Sequence, residues 1–269
     1  LPTPGTRRGR GGSDRFADLN PSDVSFVILT KNEAANLSRV FESIPAGSPV
    51  LVIDAESEDQ TQALARARGA EVIVRRWAGF VETRRFALAQ VKTPWTFMLD
   101  ADESLDGELR AAIVETEPGA DTAGYVMRRT TFFSGRPIVG CGWGDEAPLR
   151  LFRTDSAHVV PRPAGGGEAD VHEEWRVDGG IARLSGTLLH DSYPSVAAYW
   201  AKFDRYTSIE ARGYKPGGVR PVLTLLTAVV RLPWLFFVKR GYLDGWRGAV
   251  IATGSAFYPV AVLWKAARR

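Results

Sequence analysis

The chain has 269 residues, 45% apolar and 24% charged, which is enough to bury an α/β core and unlike a disordered or fibrous composition. Its single cysteine, Cys141, excludes an internal disulfide framework and fits a reducing compartment, as a small buried residue rather than a nucleophile. The net charge of +3 hides an asymmetry: residues 219–269 hold eight Lys or Arg against one acid, Asp244, so that segment is +7 and residues 1–218 are −4. A basic, apolar tail on a mildly acidic body argues against nucleic acid as the partner.

Residues 1–22 are rich in Pro, Gly and Arg, and read as a disordered basic arm rather than a secretory signal. Val24–Thr30 (VSFVILT) is apolar nearly throughout, as a strand buried on both faces of a parallel sheet would be. A helix follows, with Asn32 as its cap, Glu33 in its first turn, and Leu37, Val40, Phe41 and Ile44 on one stripe. Residues 50–53 form a second strand closing on Asp54, and Asp59 with Gln62 caps a helix that stops at Gly69. Glu71–Val74 is a third strand and 80–91 a helix carrying Arg84 and Arg85. The fourth strand, Trp95-Thr96-Phe97-Met98-Leu99, runs straight into Asp100, Asp102 and Glu103, with the next helix from near Leu105.

An extended backbone would point Asp100 and Asp102 the same way. Two hard oxygen ligands there suit Mg²⁺ or Mn²⁺ held against a diphosphate; capping the next helix is the plainer use. The alternation of strands and helices implies parallel pairing with right-handed crossovers, so ligands collect at the strands' carboxyl ends. Lys31-Asn32-Glu33, the loop from Asp54 to Asp59, and the Asp100–Glu103 turn converge on that edge. Neither a Gly-x-Gly-x-x-Gly turn nor a Gly-x-x-x-x-Gly-Lys-Ser/Thr loop follows the first strand. An acidic edge of this kind needs a cation to accept a diphosphate.

In the second half, 123–133 and 138–141 read as strands joined by a turn at Ser134-Gly135-Arg136-Pro137. Leu149–Arg153 is another strand, 161–167 a glycine-rich loop, and 184–190 a strand ending on His190. A helix runs from after Tyr193-Pro194 to about Arg212. Residues 219–238 are apolar but broken by Arg231 and Pro233, and 248–264 carry no charge. The latter stretch spans about 26 Å as a helix, short of the ~30 Å hydrocarbon core. Trp234, Trp246, Tyr258 and Trp264 beside Lys and Arg suit helices lying in the cytoplasmic leaflet; two spans, or a soluble helical cap, are the alternatives.

Four motifs, VSFVILTKNEAANL, VLVIDAESEDQT, FVETRRFAL and WTFMLDADE, are followed in order by Gly142-Trp143, Leu149–Arg153, Val171-His172-Glu173, Leu189-His190 and the GYLDGW of 241–246. Together they resemble the family 2 nucleotide-sugar glycosyltransferases over about residues 23–250, and within them the bacterial lipopolysaccharide-core and capsule glucosyltransferases. The resemblance implies an α/β, glycosyltransferase A-type fold, Rossmann-like with a mostly parallel sheet. The catalytic domain would cover 23–215, and membrane-associating helices 216–269.

The resemblance also implies residue roles. Thr30, Asn32 and Glu33 match the nucleotide pocket, and Asp54 the acid at the base, with Ser57 and Asp59 in the same loop. Arg84 matches a basic position near the diphosphate, and Asp100, Ala101 and Asp102 the metal and ribose–diphosphate motif. His190 is a further metal ligand or diphosphate contact, or a structural histidine. Arg150 is a phosphate contact or an exposed strand cation. Arg85 stands where similar sequences carry Asn, and could add a cation near the phosphates. For the general base Glu173 leads, with Glu174 and His172 as competitors and Asp145 as an outsider.

The activity implied is inverting, metal-dependent transfer of a sugar from a nucleoside-diphosphate donor, UDP-glucose being one candidate. The acceptor implied is a lipid-linked glycan such as a lipopolysaccharide core, reached by a peripheral or monotopic protein at the cytoplasmic face of the plasma membrane. Two rivals remain. A nucleotidyltransferase of the same fold would carry a glycine-rich basic loop where Lys31-Asn32-Glu33 stands. A non-catalytic nucleotide-sugar-binding protein would have no need of Asp100, Asp102 and Glu173.

Overall fold

The computed structural model describes residues 19–144, 146–161, 173–213 and 220–268, with the backbone alone at 173, 220 and 221. Four strands, β1 (Val24–Thr30), β2 (Val50–Asp54), β3 (Glu71–Val74) and β4 (Trp95–Asp100), pair in parallel in the order β3-β2-β1-β4. The connections between them are α1 (Ala34–Ser43), α2 (Thr61–Ala67) and α3 (Phe80–Gln90). Period-two alternation divides the apolar runs between two faces. Phe26, Ile28, Phe97 and Leu99 go to one core, where Phe26 stacks on Phe97 at 4.9 Å, and Val27 and Met98 go to the other.

Beyond β4 the sheet becomes mixed. β5 (Glu103–Leu105) and α4 (Gly107–Val114) precede β6 (Thr122–Phe133), which turns through Ser134 and Gly135, both with positive φ, into β7 (Arg136–Pro137). β8 (Leu149–Arg153) lies antiparallel between β4 and β6. A separate ribbon pairs β9 (Ala157–Pro161) with β10 (Glu173–Val177). β11 (Gly180–Tyr193) runs parallel to β6 and antiparallel to β5 at the sheet's far edge. Gly186 makes a bulge in β11 possible: its φ is +84°, and a Cβ there would come within 2.1 Å of the Leu109 backbone nitrogen of α4.

The C-terminal elements are α5 (Val196–Gly213), α6 (Arg220–Pro233), a π-helical turn (Trp234–Val238), a 3-10 turn (Gly241–Asp244) and α7 (Trp246–Ala267). They share a core with the sheet: Phe133, Ile138, Cys141 and Tyr199 pack with Leu235, Ile251, Ala252 and Ala256. Cys141 is buried there, as the sequence leads one to expect of a lone thiol. Among the described residues one helix, α7, is long and apolar enough to cross a membrane, with 33% of its most apolar window buried in the protein.

Several local expectations fail for identifiable reasons. Glu103–Leu105 is a strand, not a helix start, because β11 pairs with it; the helix begins at Gly107, where Asp106 Oδ1 accepts the Leu109 N–H at 2.7 Å. Residues 138–141 form no strand, since the Val139 and Gly140 N–H groups are claimed by the Asp244 carboxylate at 3.0 and 2.8 Å. Asn32 does not cap α1; it sits at φ +56° and its Oδ1 accepts the Glu58 N–H. Asp59 does not pair with Gln62 either, because it bonds Thr61 and the Ala34 N–H while Gln62 donates to Asp54. Residues 19–23 belong to the folded body: Leu19 is buried in the core and donates its N–H to Thr116 O at 2.9 Å.

Candidate active site

A cleft of about 1550 Å³ lies over the carboxyl ends of β1 and β4 and extends between β8, β10, β11 and the C-terminal helices. Thr30, Glu33, Arg84, Asp100, Ala101, Asp102, Arg150, Glu174 and His190 all line it. Asn32, Asp54, Ser57 and Asp59 stand behind that wall. Asp54 is wholly buried; its carboxylate accepts from Thr30 Oγ1 at 2.8 Å, Ser57 Oγ at 2.6 Å, Ser57 N at 2.8 Å and Gln62 Nε2 at 2.7 Å. Burial alone would raise its pKa, but those donors outweigh it and hold the carboxyl below its ordinary range. Asn32 and Asp59 tie the same loop to the start of α1, through Ser57 Oγ to the Asn32 N–H and Asp59 Oδ2 to the Ala34 N–H. Arg85 points away from the cleft, donating to Val159 O at 3.3 Å. His172, Asp145 and the Glu173 side chain lie outside the described residues.

Asp100 and Asp102, two apart in sequence, take different partners. Asp100 Oδ1 accepts from Arg84 at 2.9 Å and Oδ2 from Arg150 at 2.6 Å. The same Arg150 nitrogen bonds Glu103 Oε1 at 2.6 Å, and Arg129 bridges Glu103 to Glu146. Glu103 and Arg150 are buried, so this is an internal ion network rather than an exposed strand cation. Burial works against ionisation of Asp100, but Arg150 and Arg84 win and hold it well below the usual carboxylate range.

Asp102 faces a second group. Its Oδ2 lies 3.4 Å from His190 Nε2 and 3.5 Å from Lys202 Nζ, while His190 Nδ1 lies 3.2 Å from Thr131 Oγ1. Burial pushes Asp102 up, yet the hydrogen-bonded His190 and the Lys202 ammonium bring its pKa to about 2. Across the cleft Glu33 is pushed up, first by burial and then by Asp102, against the hydrogen bond from Asn36. Among the described residues no group of three or more His, Cys, Asp or Glu is gathered to hold a metal. Asp102 and His190 nonetheless stand side by side, a carboxylate oxygen 3.4 Å from an imidazole nitrogen. A hard divalent cation commonly takes just such a partial protein set and completes its shell with phosphate oxygens and water.

Comparison with known proteins gives the family. The profile of Glycosyl transferase family 2 matches residues 25–137. An uncharacterized glycosyltransferase of Rickettsia typhi is 40% identical over 250 residues, covering 87% of this chain and 83% of its own length. The chain belongs to glycosyltransferase family 2. Two further rickettsial relatives align over 34% and 32% of their own length. The lipopolysaccharide core biosynthesis glycosyltransferase LpsC of Rhizobium meliloti is 27% identical, with 83% of each chain covered. Among solved structures, a mannosyltransferase of Pyrobaculum calidifontis in complex with GDP-Man and Mn²⁺ aligns over 96% of this chain and 77% of its own, at 14% identity and a TM-score of 0.45.

The sheet of this family 2 glycosyltransferase is thus the A-type, Rossmann-like one, with its cleft where such sheets bind ligands. Sequence reasoning missed Lys202 and Arg129, and saw Glu103 only as an acid at the end of the fourth strand. Lys202 is 100 residues from Asp102, and its only local signal is its position on a helix face with Tyr199, Phe203 and Tyr206. Its ammonium bonds Ser192 Oγ at 2.9 Å; burial would lower its pKa, but Asp102 raises it.

Proposed function

We propose that this glycosyltransferase is an inverting, metal-dependent enzyme that moves a hexose from a UDP-sugar to a lipid-linked glycan such as a lipopolysaccharide core. It works at the cytoplasmic face of the plasma membrane. The observation that carries the reading is the Asp102–His190 pair, set in the cleft between the loop of Thr30 and Glu33 and the wall that holds Glu174. Asp102 and His190 would hold Mg²⁺ or Mn²⁺, which when bound supplies Lewis-acid compensation for the charge on the departing diphosphate. Asp100 has both oxygens taken by guanidinium groups, so its part is to fix the turn that presents Ala101 and Asp102.

The remaining work falls to the chain's own side chains. Thr30 and Glu33 line the nucleotide end, and the ordered loop of Asp54, Ser57 and Asp59 holds them there. Glu174, or its neighbour Glu173, takes the proton from the acceptor hydroxyl on the side opposite the leaving group, as single displacement requires. Lys202 adds a cation beside Asp102. Exposed apolar residues of α6 support the membrane placement, and the core-biosynthesis role of the Rhizobium meliloti relative supports the acceptor class.

A melting-temperature screen of UDP-, GDP- and dTDP-sugars, each with and without Mn²⁺, tests donor and metal together. One donor should stabilise the protein only with metal, by about 2.7 kcal/mol at a hundred times its Kd. Asp102→Ala should retain the fold and lose transfer by on the order of 100-fold or more. Full activity in that variant would sink the reading.

A further inference from the structure

The pole of the cleft formed by the C-terminal helices, which meets the donor side at Lys202, has a chemistry the donor does not need. There the wall is built by α5, α6 and α7: Lys202, Phe203, Arg205 and Tyr206 from α5, Arg231 from α6, and Tyr258 from α7. Every cleft-lining acid among the described residues (Glu33, Glu56, Asp100, Asp102, Glu174) comes from other elements. The carboxylates that α5 does carry are engaged elsewhere, Asp204 by Lys265 at 2.6 Å and Glu210 by the Tyr258 hydroxyl. Lys202 is already paired with Asp102. Arg205 lies over the Tyr206 ring, 5.2 Å from its centroid, and neither Arg205 nor Arg231 has a carboxylate partner among the described residues. Phe203 and Tyr258 meet edge to face at 5.6 Å, and Phe203 meets Trp200 in the same way.

Aromatic faces beside guanidinium groups with no carboxylate partner among the described residues form a lining suited to a sugar ring bearing a phosphate. The rings stack on the apolar face of the sugar, and the planar fork of Arg chelates the phosphate oxygens. Both guanidinium groups are exposed, so an arriving phosphate can reach them. We propose that this pole is an acceptor subsite for a phosphate-bearing group, read by Arg205 and Arg231. The proposal rests on the glycosyltransferase reading and names the chemistry of its acceptor.

Arg231 also fixes where that group arrives. On the same helix Leu226, Val229 and Val230 are exposed, so α6 presents an apolar face outward and a guanidinium to the cleft. A phosphate at the level of lipid headgroups would meet Arg231 without leaving the interface.

The experiment titrates the full chain with dihexanoyl phosphatidic acid, a short-chain phosphomonoester that stays below bilayer-forming concentrations, followed by tryptophan fluorescence. Dihexanoyl phosphatidylcholine and inorganic phosphate are the parallel arms. Phosphatidic acid should saturate, and Arg205→Ala and Arg231→Ala should each weaken it at least ten-fold, with partial recovery in Arg231→Lys that a merely structural role would not give. Competition by inorganic phosphate would assign the recognition to the phosphate alone, and its failure to compete would assign it to the lipid headgroup; both support the subsite. Equal binding of the phosphatidylcholine, no saturation, or wild-type affinity in both Ala variants would overturn it. UDP titrated with Mn²⁺ into the wild-type protein tests the donor pole separately. If UDP binds and phosphatidic acid does not, the subsite alone fails; if UDP does not bind, the reading beneath it fails.

Discussion

At Arg150 one guanidinium nitrogen bonds Asp100 Oδ2 and Glu103 Oε1, both at 2.6 Å, and Glu103 has no solvent exposure. Arg150→Met would leave Glu103 fully buried and Asp100 partly buried with one cation fewer, which typically costs about 3–5 kcal/mol. Urea unfolding of that variant should show it as a lowered midpoint at unchanged slope. Asp100 and Asp102 also set the acid limit of stability. Both carboxyls titrate lower in the folded protein than in the unfolded chain. Their stabilisation is therefore fully present above the unfolded carboxylate range near pH 4, and is lost as pH falls toward the Asp102 value of about 2. Unfolding free energies measured at pH 7, 4 and 3 should fall along that limb, and Asp102→Asn should flatten it.

Among the elements, α6 has its apolar pattern turned outward. Val222, Leu225, Leu226, Val229 and Val230 recur at helical spacing and are exposed, while Ala228 and, past the helix end, Leu235 are buried. Trp234 and Trp246 extend the exposed apolar surface, each with a cation over its ring, Lys239 at 5.1 Å and Arg247 at 4.5 Å. Substituting Leu226→Glu and Val230→Glu together should weaken co-sedimentation with phosphatidylglycerol-containing vesicles by roughly ten-fold or more. Inserting one such side chain contributes about 1.5–3 kcal/mol. Thermal unfolding in buffer should barely change, since neither side chain packs against the body.

Across the whole molecule the sheet and the C-terminal helices are bound into one structure. Phe133 at the end of β6 packs on Tyr199, 5.5 Å between ring centroids, and the same cluster takes in Leu235 and Ile251. Arg247 of α7 donates to Phe133 O at 2.9 Å, and Gly248 passes so near Gly241 that a Cβ would lie 1.8 Å from its carbonyl oxygen. A chain cut after residue 215 should therefore lose its cooperative melting transition rather than survive as a free catalytic domain, which differential scanning calorimetry reads directly.

The same interdependence explains what could be read from the sequence. β1, β3 and β8 have the bounds the apolar runs predict and β4 runs one residue further, to Asp100; for β1 and β4, buried nearly throughout, the apolar run writes the length locally. β5 was illegible: three residues, Glu103 to Leu105, become a strand only because β11 arrives from 85 residues further along, as in the Leu105–Leu188 and Glu103–His190 pairs. The acids of the cleft were visible at strand ends and Arg84, Arg150 and His190 were named beside them, but which partner each acid takes was not legible. Arg150 is 50 residues from Asp100 and Lys202 is 100 from Asp102, and no local pattern ties either to its acid.

The ion network under the cleft has an electrical consequence. Arg84, Asp100, Arg150, Glu103, Arg129 and Glu146 follow one another in alternating sign, three guanidinium groups against three carboxylates. Such a string has no net charge, so its field cancels within a few ångströms and adds little to the potential over the cleft mouth. The long-range field that an incoming anion meets is left to the groups outside the string. Added salt would then act on the approach of ligands through Arg205 and Arg231, which have no carboxylate partner among the described residues, and leave the floor beneath them undisturbed.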